Sequence, residues 1–234
     1  PPGLKKRRRR ATLSPKGERA TPSLNRRGLQ EQTTDHGPLT MDNGHKPIGV
    51  LAIQGDFAMH AKMLERLGAP YKLVKHASEL AEVGGLIMPG GESTTMLKFF
   101  SNEGMGEAIK EFVTAGKPVF GTCAGAILLA KEVLNPSQER LGLLDIAIER
   151  NAYGRQVDSS VRQGECPELS PRPLEMVFIR APIIRRVGEG VRVLGRCDGL
   201  PVLVEQHNIL AATFHPELTE DETVHRYFRK KLSQ

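Results

Sequence analysis

Gly121-Thr122-Cys123-Ala124-Gly125 has the small-x-nucleophile-x-small form of a nucleophile elbow, with cysteine at its centre. A sharp strand-to-helix turn forces such a residue into a strained backbone conformation and leaves no room for neighbouring β-carbons, so glycine belongs on both sides. The turn also sets the sulfur beside a helix N-terminus, whose partial positive charge favours thiolate. A buried structural cysteine on a glycine-rich turn has the same look; a strand before it and a helix after it weigh towards the elbow. A thiolate nucleophile needs a base held by a third group. Phe214-His215-Pro216-Glu217 offers both within three residues. On an extended segment residues i and i+2 point to one side, so Glu217 is expected to reach the imidazole and fix its tautomer. Pro216 is expected to hold His215 extended. A lone His-x-Glu is commonly a surface pair and gains meaning only beside the elbow.

Acyl transfer also needs donors for a tetrahedral oxyanion. The Ala124 amide, next to the nucleophile, is one candidate. The turn Pro89-Gly90-Gly91-Glu92-Ser93 offers a second, since glycine lets backbone amides approach a ligand closely. The same turn suits a phosphate-cradling loop or a plain turn, and spacing does not separate these readings. Arg150 and Arg180, near strand ends, could hold a carboxylate through bidentate contacts, although each alone reads as a surface arginine. His60, His76, His207 and His225 have no metal-like spacing with the cysteines, so neither a metal site nor a cofactor is expected. Gln54 and His60 flank the first strand-to-helix connection, an edge where ligands or partners could lie. Cys166 and Cys197 have no catalytic context.

The elements that must position these residues follow from periodicity. The apolar run 48–53 reads as a strand covered on both faces. Phe57, Ala61, Leu64 and Leu67 then recur at helical spacing, and Gly68 stops the helix. Strands are expected at 71–74 and 86–88, helices from Ser93 and over 105–115, and a strand at 118–121 feeding a helix over 124–133. Strands follow at 144–149, 176–180, 192–196, 202–205 and 209–214, and a last helix over about 220–232. This rhythm implies an open, mostly parallel sheet with right-handed crossovers. In such sheets working residues gather at the carboxyl ends of strands. The Gly90 turn, Cys123 and the His215–Glu217 pair each follow a different strand, and their convergence on one edge is the main signal.

The 234 residues suffice for one large α/β domain, and the formal charge of +6 is uneven. Residues 1–40 hold ten Lys/Arg against three Asp/Glu, a net of +7, so residues 41–234 carry a net of −1. The basic balance belongs to the tail, and nucleic acid is not an expected partner of the body. The tail has five leucines as its only strongly apolar residues and reads as disordered. Lys5 to Arg10 fits a nucleic-acid arm or a targeting signal. The favoured expectation is that the native start is Met41, with 1–40 upstream or appended sequence and 41–234 one domain. No run of 18 apolar residues is present, so no spanning helix or membrane partner is expected. Three cysteines make no disulfide framework, which suits a reducing, cytoplasmic setting.

The body resembles the class I (triad) glutamine amidotransferases and, more narrowly, the glutaminase subunits of pyridoxal 5′-phosphate synthases, over about residues 47–229. The elbow is shared widely among amidotransferases. The stretches Gly90-Gly91-Glu92-Ser93-Thr94-Thr95 and Phe178-Ile179-Arg180-Ala181-Pro182 are much more specific, and Glu149-Arg150-Asn151, Gly154-Arg155-Gln156-Val157-Asp158 and Phe214-His215-Pro216-Glu217-Leu218-Thr219 extend the match. The resemblance implies a flavodoxin-like three-layer α/β/α sandwich that hydrolyses L-glutamine to glutamate and ammonia. It casts Cys123 as nucleophile, His215 as acid/base and Glu217 as its orienting partner, with the Gly91 and Ala124 amides as oxyanion donors. By the same resemblance Gly90, Gly91, Glu92, Arg150, Ile179 and Arg180 lie on the bound glutamine. It also implies that ammonia passes to a (β/α)8-barrel synthase subunit, that glutaminase activity is weak until that partner docks near Gln54 and Gly91, and that the complex is a large hetero-oligomer. Residues 162–174, with Cys166 and three prolines, depart most from the pattern and are expected to form an exposed loop.

Overall fold

The computed structural model describes residues 46–150 and 159–233; the tail, Met41 and residues 151–158, which carry part of the resemblance, lie outside the described residues. β1 (Ile48–Leu51) leads into α1 (Phe57–Arg66), and β2 (Tyr71–Val74) is followed by a 3₁₀ turn (Ala77–Glu82) and β3 (Gly85–Met88). α2 (Ser93–Glu103) and α3 (Met105–Thr114) return the chain to β4 (Val119–Thr122), which runs directly into α4 (Ala124–Leu129). β5 (Ala130–Leu134), β6 (Leu144–Glu149), β7 (Ser159–Gly164), β8 (Leu174–Ile179) and β9 (Ile183–Val187) come next. A meander of β10 (Arg192–Cys197), β11 (Leu200–Gln206) and β12 (Ile209–Ala212) then precedes α5 (Thr223–Lys231).

Seven strands form the central sheet in the order β10-β11-β12-β4-β3-β1-β2. From β12 to β2 every neighbour is parallel, while β10, β11 and β12 pair antiparallel. β1, β3 and β12 are apolar throughout because alternate side chains serve two cores. On β12, Ile209 and Ala211 join Met96, Ile109 and Leu128 from α2, α3 and α4, whereas Leu210 and Ala212 join Leu64 from α1 and Phe228 from α5. This is the three-layer α/β/α arrangement that the family resemblance implies. Two small sheets, β5-β6-β9 and β7-β8, flank it. No helix among the described residues is long and apolar enough to cross a membrane.

Two expectations need correction. The helix after the elbow does not run to residue 133: it ends at Leu129, and Ala130–Leu134 is a strand on β6. Ala130 and Val133 are buried and Lys131 and Glu132 exposed, a spacing a helix also satisfies. Pairing with residues 144–149, distant in sequence, decides the matter. Nor is 162–174 all loop. Residues up to Gly164 belong to β7, paired antiparallel with β8 from Ser159↔Ile179 to Gly164↔Leu174. Cys166 is buried, which pushes its thiol up to about 11, and only residues 167–173 form the mostly exposed turn.

Candidate active site

β12, β4 and β3 are immediate neighbours, so the three loops that leave their carboxyl ends meet with Cys123 in the middle. The Cys123 amide donates to the Ala212 carbonyl at 2.9 Å, which ties the elbow to the end of β12. Its backbone has φ 45° and ψ −98°, a conformation costing about 1–3 kcal/mol that the surrounding core must hold. The flanking glycines are steric necessities. A β-carbon on Gly121 would come 2.7 Å from the Gly125 carbonyl carbon, and one on Gly125 would come 2.2 Å from the Met88 oxygen. The Ala124 amide begins α4 and has no intrahelical acceptor, leaving it available to a ligand.

The second loop is held from below. Gln54 Oε1 accepts from the Glu92 amide at 2.8 Å, and the Asp56 amide donates to the Gly90 carbonyl at 3.3 Å. Gly91 has φ +146°, where side chains rarely sit, and a β-carbon there would meet Gln54 Oε1 at 2.8 Å. Gly90 has a different reason: its β-carbon would lie 2.3 Å from Cε1 of His215. Glu92 caps α2, accepting from the amides of Thr94 and Thr95 at 3.2 and 2.8 Å. The Thr94 and Thr95 hydroxyls and these amides pull its carboxyl down to about 2.

The third loop pairs His215 with Glu217, but not through an extended strand. His215 leaves β12 at φ −108°, ψ 84°, and Pro216–Leu218 is a 3₁₀ turn. Pro216 starts that turn because its fixed φ suits a first helical position. The turn brings Glu217 Oε1 to 2.8 Å from His215 Nδ1, leaving Nε2 free to face Cys123, whose sulfur interacts with the imidazole and donates to the Ile179 carbonyl at 4.0 Å. Burial works against the imidazolium, yet the hydrogen bonds to Cys123 and Glu217 and the charges of both outweigh it and raise His215 to about 10. Burial pushes the Glu217 carboxyl up, against the pull of His215.

A cleft of about 150 Å³ opens over this group, lined by Asp56, Gly91, Glu92, Ser93, Cys123, Ile127, Arg150, Ile179, Arg180, Pro182 and His215. Of the expected site residues, Gly90, Ala124 and Glu217 lie behind the lining, and the rest face the space. A buried sulfur nucleophile, an imidazole locked by a carboxylate and two guanidinium groups across the cleft suit acyl transfer from a small substrate that bears a carboxylate. A model of the SNO glutamine amidotransferase family matches residues 50–234. The chain belongs to that family. It is 55% identical over 192 residues to pyridoxal 5′-phosphate synthase subunit PdxT of Solibacter usitatus, covering 80% of this chain and 100% of the relative. The PdxT of Koribacter versatilis is 56% identical over 185 residues, 79% of this chain and 95% of the relative. A crystal structure described as a glutamine amidotransferase superposes with a TM-score of 0.75 at 49% identity, covering 80% of this chain and 99% of its own.

Within this amidotransferase frame, sequence reasoning missed Asp56, whose Oδ2 lies 3.7 Å from His215 Nδ1. Asp56, His215 and Glu217 are also the one group among the described residues whose donor atoms lie close enough together to hold a metal ion, within 4.8 Å. Their contacts to one another and to Cys123 account for that proximity. Thr122 and His225 were missed as well. They meet His60 in the core beneath the triad; Thr122 sits at a variable position of the elbow and His225 in no motif.

Proposed function

We propose that this chain hydrolyses L-glutamine to L-glutamate and ammonia and supplies the ammonia to the synthase subunit of a cytoplasmic pyridoxal 5′-phosphate synthase. The observation that carries the reading is the strained Cys123 elbow facing a buried His215–Glu217 pair, in a chain so similar to proteins named as subunits of that synthase. Arg150 and Arg180 hold the α-carboxylate of glutamine, and Gly90, Gly91, Glu92 and Ile179 form the walls around its side chain. Cys123 passes its thiol proton to His215 and its Sγ attacks the carboxamide carbon, and the Ala124 and Gly91 amides receive the developing oxyanion. His215, as imidazolium, gives its Nε2 proton to the amide nitrogen as the C–N bond breaks, which releases ammonia and leaves a thioester. A water then loses a proton to His215 and attacks the thioester carbon; glutamate departs and the thiol is restored. Glu217 keeps the imidazolium paired throughout.

The partner docks on the face that holds Gln54 and Gly91, in a large hetero-oligomer. Because Gln54 and Asp56 hold the Gly90–Glu92 loop directly, pressure on that face reaches the oxyanion donor. Ammonia release from L-glutamine, measured with and without a pyridoxal 5′-phosphate synthase barrel subunit, tests the reading. Strong stimulation is expected, and Cys123→Ala should keep its fold while losing activity by at least about 10⁴-fold. A folded wild-type chain inactive in both conditions overturns it.

A further inference from the structure

His60 lies on α1, fully buried and facing the underside of the site. Its Nε2 is 3.1 Å from Thr122 Oγ1 and 3.4 Å from Glu217 Oε1. Its Nδ1 is 2.9 Å from Nε2 of His225, itself fully buried on α5. His225 Nδ1 and Glu217 Oε2 are buried without a hydrogen-bond partner. These contacts decide where the protons sit. If His60 carried its proton on Nδ1, its Nε2 lone pair would face the carboxylate, and His225 would hold an N–H that meets nothing. With the proton on Nε2, that N–H bonds Thr122, with Glu217 Oε1 next nearest at 3.4 Å, His225 donates to His60 Nδ1, and only a lone pair goes unpaired.

We propose that His60 is a positioning residue of the triad: its neutral imidazole donates to Glu217 Oε1 and holds that carboxylate ionised and aligned on His215. The inference rests on the reading of Cys123, His215 and Glu217 given above. Glu217 has one partnered oxygen for a full buried charge, so a second donor there changes how readily the carboxyl protonates. Burial, then the neighbouring His225 and His215, lower the His60 pKa well below 6.5, which keeps it a neutral donor. Burial alone lowers His225 to about 3. Through Thr122, the residue before the nucleophile, the same imidazole also ties the end of β4 to the turn that carries Glu217.

The groups that act on Glu217 are His215 on its own turn, its own backbone amide, His60 from α1 and the Asp56 carboxylate ahead of α1, which opposes its ionisation. His215 faces Cys123, Glu217 and Asp56. Loss of the His60 donor raises the pH at which Glu217 takes a proton, and with it the acid limb of any activity that needs the His215 imidazolium. The decisive measurement is kcat and KM for ammonia release between pH 5 and 9, with the synthase subunit bound, for wild type, His60→Leu and His60→Gln. Iodoacetamide alkylation of Cys123, read by mass spectrometry over the same range, follows the triad without turnover. His60→Leu should lose about 10- to 100-fold in kcat with KM within about twofold, and both acid limbs should move up by about one pH unit. His60→Gln, which keeps an N–H donor, should recover most of the loss. Equal losses in both variants with unmoved limbs assign His60 to packing and overturn the proposal, as does a wild-type profile in His60→Leu. Should His60→Leu not fold, His225→Leu removes only the donor to Nδ1 and must move the limbs the same way by a smaller step; unmoved limbs there are equally fatal. If wild type releases no ammonia yet the alkylation limb shifts in His60→Leu, the glutaminase reading fails and this one stands.

Discussion

Cys123, His215 and Glu217 on the floor of the cleft are 7%, 3% and 2% exposed, whereas Glu92 and Arg150 on its rim are half-buried and Arg180 is exposed. The floor hangs from neighbouring parallel strands whose side chains fill both cores. Two of the rim groups come from the flanking sheets, Arg150 just past β6 and Arg180 just past β8. The electrostatics divide the same way. On the floor, Cys123 and Glu217 outweigh burial and raise His215, whereas beneath it burial, reinforced by two neighbouring imidazoles, lowers His60. On the rim, Glu92 is governed by hydrogen bonds within one helix turn. The geometry proposed for bond making therefore depends on the close-packed interior, which hardly yields, and the groups proposed to hold the ligand depend on local contacts that can adjust.

The sharpest way to break this contrast is to disturb the floor without removing a reacting group. Gly90→Ala places a methyl carbon 2.3 Å from His215 Cε1, in a backbone conformation that accepts alanine, so the imidazole must move. A displacement near 1 Å at a reacting group costs about 10²-fold in rate. We expect kcat for ammonia release to fall by about that factor with little change in thermal stability. A change confined to KM would mean that the floor adjusts as readily as the rim.

The rim should answer differently. Arg180→Ala removes an exposed guanidinium at a backbone position with φ 45°, and KM for L-glutamine should rise about tenfold, or about 1.4 kcal/mol, while kcat stays within about threefold. Initial rates over a range of glutamine concentrations separate the two parameters. A loss in kcat instead would place Arg180 among the groups that act in the transition state.

The same contrast explains what could be read in advance. Short apolar runs bounded by glycine and proline marked β1, β3, β4 and β12, because a strand buried on both faces leaves little choice of residue. Elbow, His–Glu pair and glycine turn were legible because each is a short run of neighbouring residues, although the contacts that require Gly90 and Gly125, with His215 and Met88, come from distant parts of the chain. That β12, β4 and β3 lie side by side is a matter of long-range pairing, and no local pattern encodes it. For the same reason β5 read as helix and β7 as loop, since their partners lie elsewhere in the chain. The geometry of the His–Glu pair was misread: His215 caps a 3₁₀ turn that holds Glu217 in place of an extended segment, and Pro216 suits either. His60 showed its position but not its role, which exists only once α5 folds beneath it.

Glu92 offers the finest test, because it lines the cleft yet its contacts are those of a helix cap. Its folded-state carboxyl titrates near 2 instead of 4.5. A depressed value means stabilisation that is complete above the unfolded pKa and is lost as pH falls through the folded one. Glu92→Gln keeps the shape and removes the charge, so at pH 7 it should cost about 1 kcal/mol. For a domain of this size that cost lowers Tm by about 2–4 °C. The difference between the two melting curves should persist down to about pH 5 and narrow at pH 3, where the wild-type carboxylate begins to take up its proton. Turnover should stay within about twofold, because the cap orients α2 and touches no bond that breaks. A gap that held constant from pH 7 to pH 3 would show that the charge is not what stabilises the cap. A hundredfold loss of kcat would draw Glu92 down from the rim to the floor.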